Sequence, residues 1–206
     1  MSTQVVITSF ARTPIGSFLG GLKSLEAHEL GAVAMKAALE RSKVEPSEVN
    51  EVIVGQLLTA GKGPNTGRQA ACIAGIPFSV PTYTINMLCG SGLKTVMLAF
   101  QAIRNGDAKI LLCGGQESMS RAEHTAYLRQ GMKMGPLSLQ DSLFQDALTC
   151  AFIKEAMGIT GGHTERDAGD TSSLASSVGS FARSEQLTDD DLVHFRSPNP
   201  NPLNDI

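Results

Sequence analysis

Asn86-Met87-Leu88-Cys89-Gly90-Ser91-Gly92-Leu93 is the stretch on which the reading of this chain turns. Just before it, Pro81-Thr82-Tyr83-Thr84-Ile85 is β-branched and aromatic, the composition of a short buried strand. Just after it, Leu93, Val96, Met97, Phe100 and Ile103 recur at helical spacing and predict an amphipathic helix. Cys89 therefore falls where a strand turns sharply into a helix. A thiol placed there meets the free N–H groups and the positive dipole end of the helix, which favour thiolate over thiol. The residues alone leave two readings open: an activated nucleophile, or a buried structural cysteine beside a glycine turn. For a motif this short the structural reading is the commoner one.

Upstream, Val5-Val6-Ile7-Thr8-Ser9-Phe10 has a strand pattern that runs to about Ala11, where Arg12-Thr13-Pro14 breaks it. Leu30, Val33, Ala34, Ala37, Ala38 and Arg41 predict a helix with one apolar face. After a turn at Glu45-Pro46-Ser47-Glu48, Val52-Ile53-Val54 centres a second strand. This β-α-β order predicts a parallel pair. A glycine-containing loop over 60–66 leads to a short helix over 68–74, capped by Asn65 or Thr66. Arg68 on it reads as a solvated side chain, with an anion ligand as the alternative. Downstream, Asn105-Gly106-Asp107 stops the helix that follows Cys89. Lys109-Ile110-Leu111-Leu112-Cys113 is then a nearly continuous apolar strand, covered on both faces, with Cys113 as a small core residue. The fold class is α/β: a mixed sheet with helices on both faces.

The 206 residues suffice for one large or two small domains, and 42% hydrophobic against 18% charged residues allows a substantial core. A net charge of −3 without a lysine-arginine run argues against nucleic acid or an anionic membrane as partner. No apolar run approaches the roughly 20 residues of a membrane span. The cysteines at 72, 89, 113 and 150 form no C-x-x-C pair and read as reduced thiols, and no clustered ligand set for a metal is present. Met1-Ser2-Thr3-Gln4 leads directly into the first strand and leaves no leader pattern, so the expectation is a cytoplasmic protein.

The segment Asn86-Met87-Leu88-Cys89-Gly90-Ser91-Gly92-Leu93-Lys94 resembles the nucleophile segment of the thiolases. Three further stretches are similar to that family in the same order: Ala11-Arg12-Thr13-Pro14-Ile15-Gly16-Ser17-Phe18, Gly67-Arg68-Gln69-Ala70-Ala71 and Gly114-Gly115-Gln116-Glu117-Ser118-Met119-Ser120. The resemblance implies a thiolase N-terminal domain over 1–120 and part of the family's loop domain over 121–160. It implies acyltransferase chemistry of the acetyl-CoA C-acetyltransferase type, forming or cleaving acetoacetyl-CoA through an acyl-cysteine intermediate at Cys89. Coenzyme A thioesters are then substrates, and no cofactor or metal is implied. Leu148 and Met157 fall where family members line the pantetheine and acyl pocket; read without the resemblance they are ordinary loop core. The chain departs from the family at Cys150, where an aspartate is usual, and at Ala156, where a histidine is usual.

After Thr160 the resemblance stops, and 161–206 reads as an unrelated, polar, disordered tail, as a changed reading frame or alternative exon would produce. His163 and His194 lie in it without a motif around either. Three patterns the family places in its C-terminal half are absent from this sequence: Asn-Glu-Ala-Phe, the Gly-His-Pro histidine and the Cys-x-Gly-Gly second cysteine. The resemblance thus implies a truncated thiolase that lacks turnover alone, belongs to lipid metabolism, and comes from a family of homo-oligomers. The alternative is a non-catalytic truncated subunit that associates with full-length thiolase. A related condensing enzyme such as a ketoacyl synthase also uses a cysteine at a helix start, but the Arg-Thr-Pro context fits it poorly.

Overall fold

The computed structural model describes residues 4–167 and 192–196. Five strands form the central sheet: β1 (Val6–Ala11), β2 (Glu51–Gly55), β3 (Thr82–Ile85), β4 (Ile110–Gly115) and β7 (Leu192–Arg196), in the order β1-β7-β4-β2-β3. Strands β2, β3 and β4 are parallel, whereas β7 runs antiparallel to both β4 and β1. The sheet is therefore mixed. The parallel pair expected of β1 and β2 does not form, because β4 and β7 lie between them. A crossover helix dictates the handedness of a connection but not how many strands it skips.

Side-chain alternation divides the core into two layers. Val52, Val54 and Leu112 face one side, where they pack with Met35, Ala38 and Leu39 of α1 (Ala27–Ser42) and Ala70 and Ala71 of α2 (Thr66–Ile73). Ile53, Leu111 and Cys113 face the other, against Ala99 and Ile103 of α3 (Ser91–Asn105). As its apolar run predicts, β4 is central, with Leu111, Leu112 and Cys113 all fully buried.

Helix α1 buries Leu30, Ala34 and Ala38 as its spacing predicts, but Val33 is 61% exposed and Gly31, Ala32 and Met35 are buried instead; α3 departs further. On α3, Leu93 is 68% exposed and Met97 and Phe100 are also exposed; the face on the sheet is Gly92, Thr95, Ala99 and Ile103. Small residues win there because the helix lies close to the strands, and a larger side chain has no room beneath it. The helix after Cys89 is thus covered on one side and open on the other.

Beyond β4, β5 (His124–Thr125) pairs antiparallel with β6 (Gln140–Asp141), and a turn of π-helix over Leu143–Leu148 follows. Helix α4 (Met157–Asp167) runs through the boundary expected at 160. The expectation of a tail without folded structure fails at Leu192–Arg196, whose Leu-Val-His-Phe-Arg sequence suits a strand and completes the sheet between β1 and β4. The rest of that expectation, for 168–191 and 197–206, lies outside the described residues.

Candidate active site

The parallel strands β2, β3 and β4 end along one edge of the sheet, and each end is followed by a segment quoted above as a motif or by its neighbour. Open α/β sheets bind ligands at this edge, where loops leave the strand ends. Cys89 emerges from β3 and is solvent-exposed. The turn that carries it is built from local hydrogen bonds. Asn86 Oδ1 accepts from the Leu88 N–H at 2.9 Å, and the Ser91 hydroxyl accepts from the Met87 N–H at 2.8 Å. That hydroxyl also donates to the Leu88 carbonyl at 2.6 Å. Leu88 has φ +50°, a left-handed conformation that non-glycine residues seldom adopt.

The start of α3 is pinned from below. A Cβ built on Gly55, the last residue of β2, would lie 2.6 Å from the Ser91 carbonyl carbon and 2.7 Å from the Gly92 nitrogen. Gly55 therefore lets the helix start sit directly on the strand end, which fixes the height of Cys89 above the sheet.

Next to this, the ends of β2 and β4 are cross-tied by polar side chains. Gln116, 1% exposed, donates through Nε2 to Gln56 Oε1 at 2.8 Å, and Gln56 Nε2 donates to the Leu58 carbonyl at 3.0 Å. The Glu117 carboxylate accepts from the Leu57 N–H at 2.8 Å and the Leu58 N–H at 3.3 Å. Sequence reasoning assigned these residues no task. The available signal is a glutamine directly after each of two apolar strands, Gln56 after β2 and Gln116 after β4.

The other motifs gather at the same edge. Gly67 N–H donates to Thr84 Oγ1 of β3 at 2.9 Å. The Leu19 N–H donates to Ser120 Oγ at 2.8 Å, and Ser118 Oγ donates to the Leu25 carbonyl at 2.9 Å. Asn65 is the cap of α2, its Oδ1 accepting from the Arg68 N–H at 3.0 Å. Arg68, expected to be solvated, is half-buried with Nη1 shut off from water. Around Glu26, whose side chain begins α1, burial would raise the carboxyl pKa, but Arg121 at 2.6 Å and Lys62 at 3.3 Å hold it below its usual value. Lys62 also reaches Glu123 at 2.7 Å.

Leu148 is half-buried and packs with the cluster of Leu143, Ala147 and Leu58, the last of which lies three residues after β2. Met157 is half-buried and begins α4. Between the π-helical turn and α4, Asp141, Phe144, Asp146, Cys150 and Lys154 line an open cleft of about 630 Å³; Leu148 and Met157 are not in its lining. Cys150 is more than the accessible thiol that its loop position predicts. Backbone N–H groups of Ile153 and Phe152 point at its sulfur, and they lower its pKa with help from the Thr160 hydroxyl and the Lys154 charge. Cys113 is the opposite case: burial pushes its thiol up to about 12. His163 lies on α4, and His194 on β7 in register with Ser9 and Leu112. No cluster among the described residues has three side chains able to hold a metal ion, and no described helix is long and apolar enough to cross a membrane.

A mixed five-stranded sheet between helical layers, with a cysteine presented at the turn from a parallel strand into a helix, defines an α/β protein with an exposed thiol at its strand ends. Residues 5–173 match the family model for the thiolase N-terminal domain, and the chain belongs to the thiolase family. The match passes Thr160, where the motifs alone predicted it to stop. The chain is 54% identical to the cytosolic acetyl-CoA acetyltransferase of Rattus norvegicus over 159 residues, which are 77% of this chain and 40% of that protein. It is 51% identical to an acetyl-CoA acetyltransferase of Paracoccus denitrificans over 158 residues, 77% of this chain and 40% of that one. It is 52% identical to one of Cupriavidus necator over 170 residues, 82% and 43% respectively. The chain thus spans about two fifths of the length of these curated relatives.

Proposed function

We propose that this chain carries the acyl-accepting part of an acetyl-CoA C-acetyltransferase, with acetyl-CoA and acetoacetyl-CoA as substrates. The single observation that carries the reading is Cys89, solvent-exposed and held at the turn from β3 into α3. The Cys89 thiolate attacks the thioester carbonyl carbon, and the carbonyl π electrons move onto oxygen. The tetrahedral oxyanion collapses, the bond to the coenzyme A sulfur breaks, and coenzyme A leaves as a thiolate that takes up a proton. The Cys89 N–H is one donor for the oxyanion, and Leu148 and Met157 contribute apolar contacts to the acyl and pantetheine portion.

The 206 residues alone do not turn over. An activating histidine and a proton-moving second cysteine of the family's patterns are absent from them. One oxyanion donor is worth on the order of 3 kcal/mol and a positioned base roughly 10²–10⁴-fold. The expected result is stoichiometric acetylation of Cys89 by acetyl-CoA, seen by peptide mass mapping and lost in Cys89→Ser, with no thiolysis of acetoacetyl-CoA. Absence of the acetyl thioester, with Cys89 alkylated normally by iodoacetamide, overturns the proposal. We place the protein in the cytoplasm on the strength of the rat and mouse relatives, whose names specify cytosol.

A second reading, association with a full-length thiolase as a non-catalytic subunit, has one observation in its favour: the exposed apolar face of α3 at Leu93, Met97 and Phe100. Size-exclusion chromatography of the chain with and without a full-length relative separates the two readings.

A further inference from the structure

Leu88, next to the reactive cysteine, is held in the left-handed region by groups on both of its sides. Its N–H is taken by Asn86 Oδ1 at 2.9 Å. Its carbonyl receives two donors from Ser91, the hydroxyl at 2.6 Å and the backbone N–H at 3.0 Å. The same hydroxyl accepts the Met87 N–H at 2.8 Å, and Ser91 is 3% exposed, so water does not compete for it.

The peptide joining Leu88 to Cys89 is a rigid trans plane. In a trans plane the C=O and the N–H point in opposite directions. Drawing the Leu88 carbonyl toward Ser91 at the start of α3 therefore turns the Cys89 N–H away from the helix. We propose that Ser91 is a positioning residue for Cys89: it sets the plane of the Leu88–Cys89 peptide, and with it the direction of the N–H that meets the acyl oxyanion. The assignment rests on the acyl-transfer reading above, and Ser91 acts without touching the reacting atoms. Asn86 holds the other side of Leu88 from the solvent side.

Two reagents separate aim from mere reactivity. Iodoacetamide alkylates a thiolate by displacement of iodide and forms no oxyanion. Para-nitrophenyl acetate acetylates it through a tetrahedral oxyanion that expels para-nitrophenolate. The measured quantity is the ratio of acetylation to alkylation rates at Cys89, followed by peptide mapping of the full chain, with Cys150 as reference in the same molecule. Cys113, fully buried, reports unfolding if it becomes labelled. Loss of an oxyanion donor costs about 10²–10³-fold, which is the ceiling for a donor turned aside rather than deleted. Ser91→Ala is expected to lower the Cys89 ratio by no more than that factor while leaving the Cys150 ratio unchanged, and Ser91→Thr, which keeps the hydroxyl, to restore most of it. An unchanged Cys89 ratio in Ser91→Ala with Cys113 unlabelled overturns the proposal. Should Ser91→Ala expose Cys113, the exposed Asn86→Ala decides instead, with the same fall expected and an unchanged ratio overturning it. Acetyl-CoA is then applied to the unsubstituted chain. Its failure to acetylate Cys89 removes the proposed function, while the para-nitrophenyl acetate ratio still decides the role of Ser91.

Discussion

Gly55→Ala tests whether the height of Cys89 is fixed by contact between β2 and the start of α3. The added methyl would lie 2.6 Å from the Ser91 carbonyl carbon, 2.7 Å from the Gly92 nitrogen and 2.8 Å from Ser91 Cβ. Backbone atoms cannot swing aside as a long side chain can. The strand cannot retreat either, because Gly55 is paired with Ile85 of β3 on one side and Gly115 of β4 on the other. The helix start must lift. Overpacking of this kind costs about 1–3 kcal/mol. At about 2–4 °C per kcal/mol for a chain of this size, the melting temperature should fall by about 2–12 °C. The turn hung on Ser91 moves with the helix, so the rate of Cys89 alkylation should change together with stability. Gly21→Ala is the control, since a Cβ there meets nothing within 4 Å, and it should stay within about 0.5 kcal/mol of the parent. Urea unfolding and a timed iodoacetamide pulse supply both readouts. A Gly55→Ala protein as stable as Gly21→Ala, with unaltered labelling of Cys89, refutes the packing argument.

Glu26→Gln should cost about 1 kcal/mol at neutral pH, since it removes the carboxylate that Arg121 and Lys62 share. The folded-state pKa of Glu26 is lowered, so its contribution is full above the unfolded-state value and fades as pH falls through the folded one; denaturation curves of mutant and parent should converge in acid. Lys43→Gly should stabilise by about 0.5–1 kcal/mol in the same assay, because Lys43 ends α1 at φ +55°, where glycine carries no Cβ penalty. Cys150 should lose less of its iodoacetamide labelling rate than a free cysteine peptide when pH is lowered from 8 to 6, and a parallel fall would contradict the donor set around its sulfur. Cys113 should stay unlabelled throughout that range in folded protein.

Local pattern carries what depends on neighbours in sequence. The strand before Cys89, the turn at it and the glycine stop at Gly106 are each legible because each obeys a short-range backbone rule, and the structure has them in place. The run from Ile110 to Cys113 discloses a central strand because only a strand covered on both faces needs successive apolar residues. What a segment packs against is not encoded locally. Nothing in Val5–Ala11 says that β1 takes an edge beside a strand from the far end of the chain, and Leu192-Val193-His194-Phe195-Arg196, with three apolar residues in five, is easily lost between Asp189-Asp190-Asp191 and Ser197-Pro198.

The same limit governs the candidate site. Cys89 is legible because a thiol at a strand-to-helix turn beside two glycines is a local constellation, whereas the tie between Gln56 and Gln116 joins two strand ends whose adjacency only the sheet creates. Gly92 shows how far one residue's meaning depends on a partner elsewhere. Read alone, it lets the backbone turn after Cys89. In the fold it lies in the first turn of α3 with its backbone nitrogen against Gly55, whose missing side chain lets the two backbones meet. The exposed stripe of Leu93, Met97 and Phe100 follows from that contact, because a helix that presents its small residues to the sheet must turn its large ones outward.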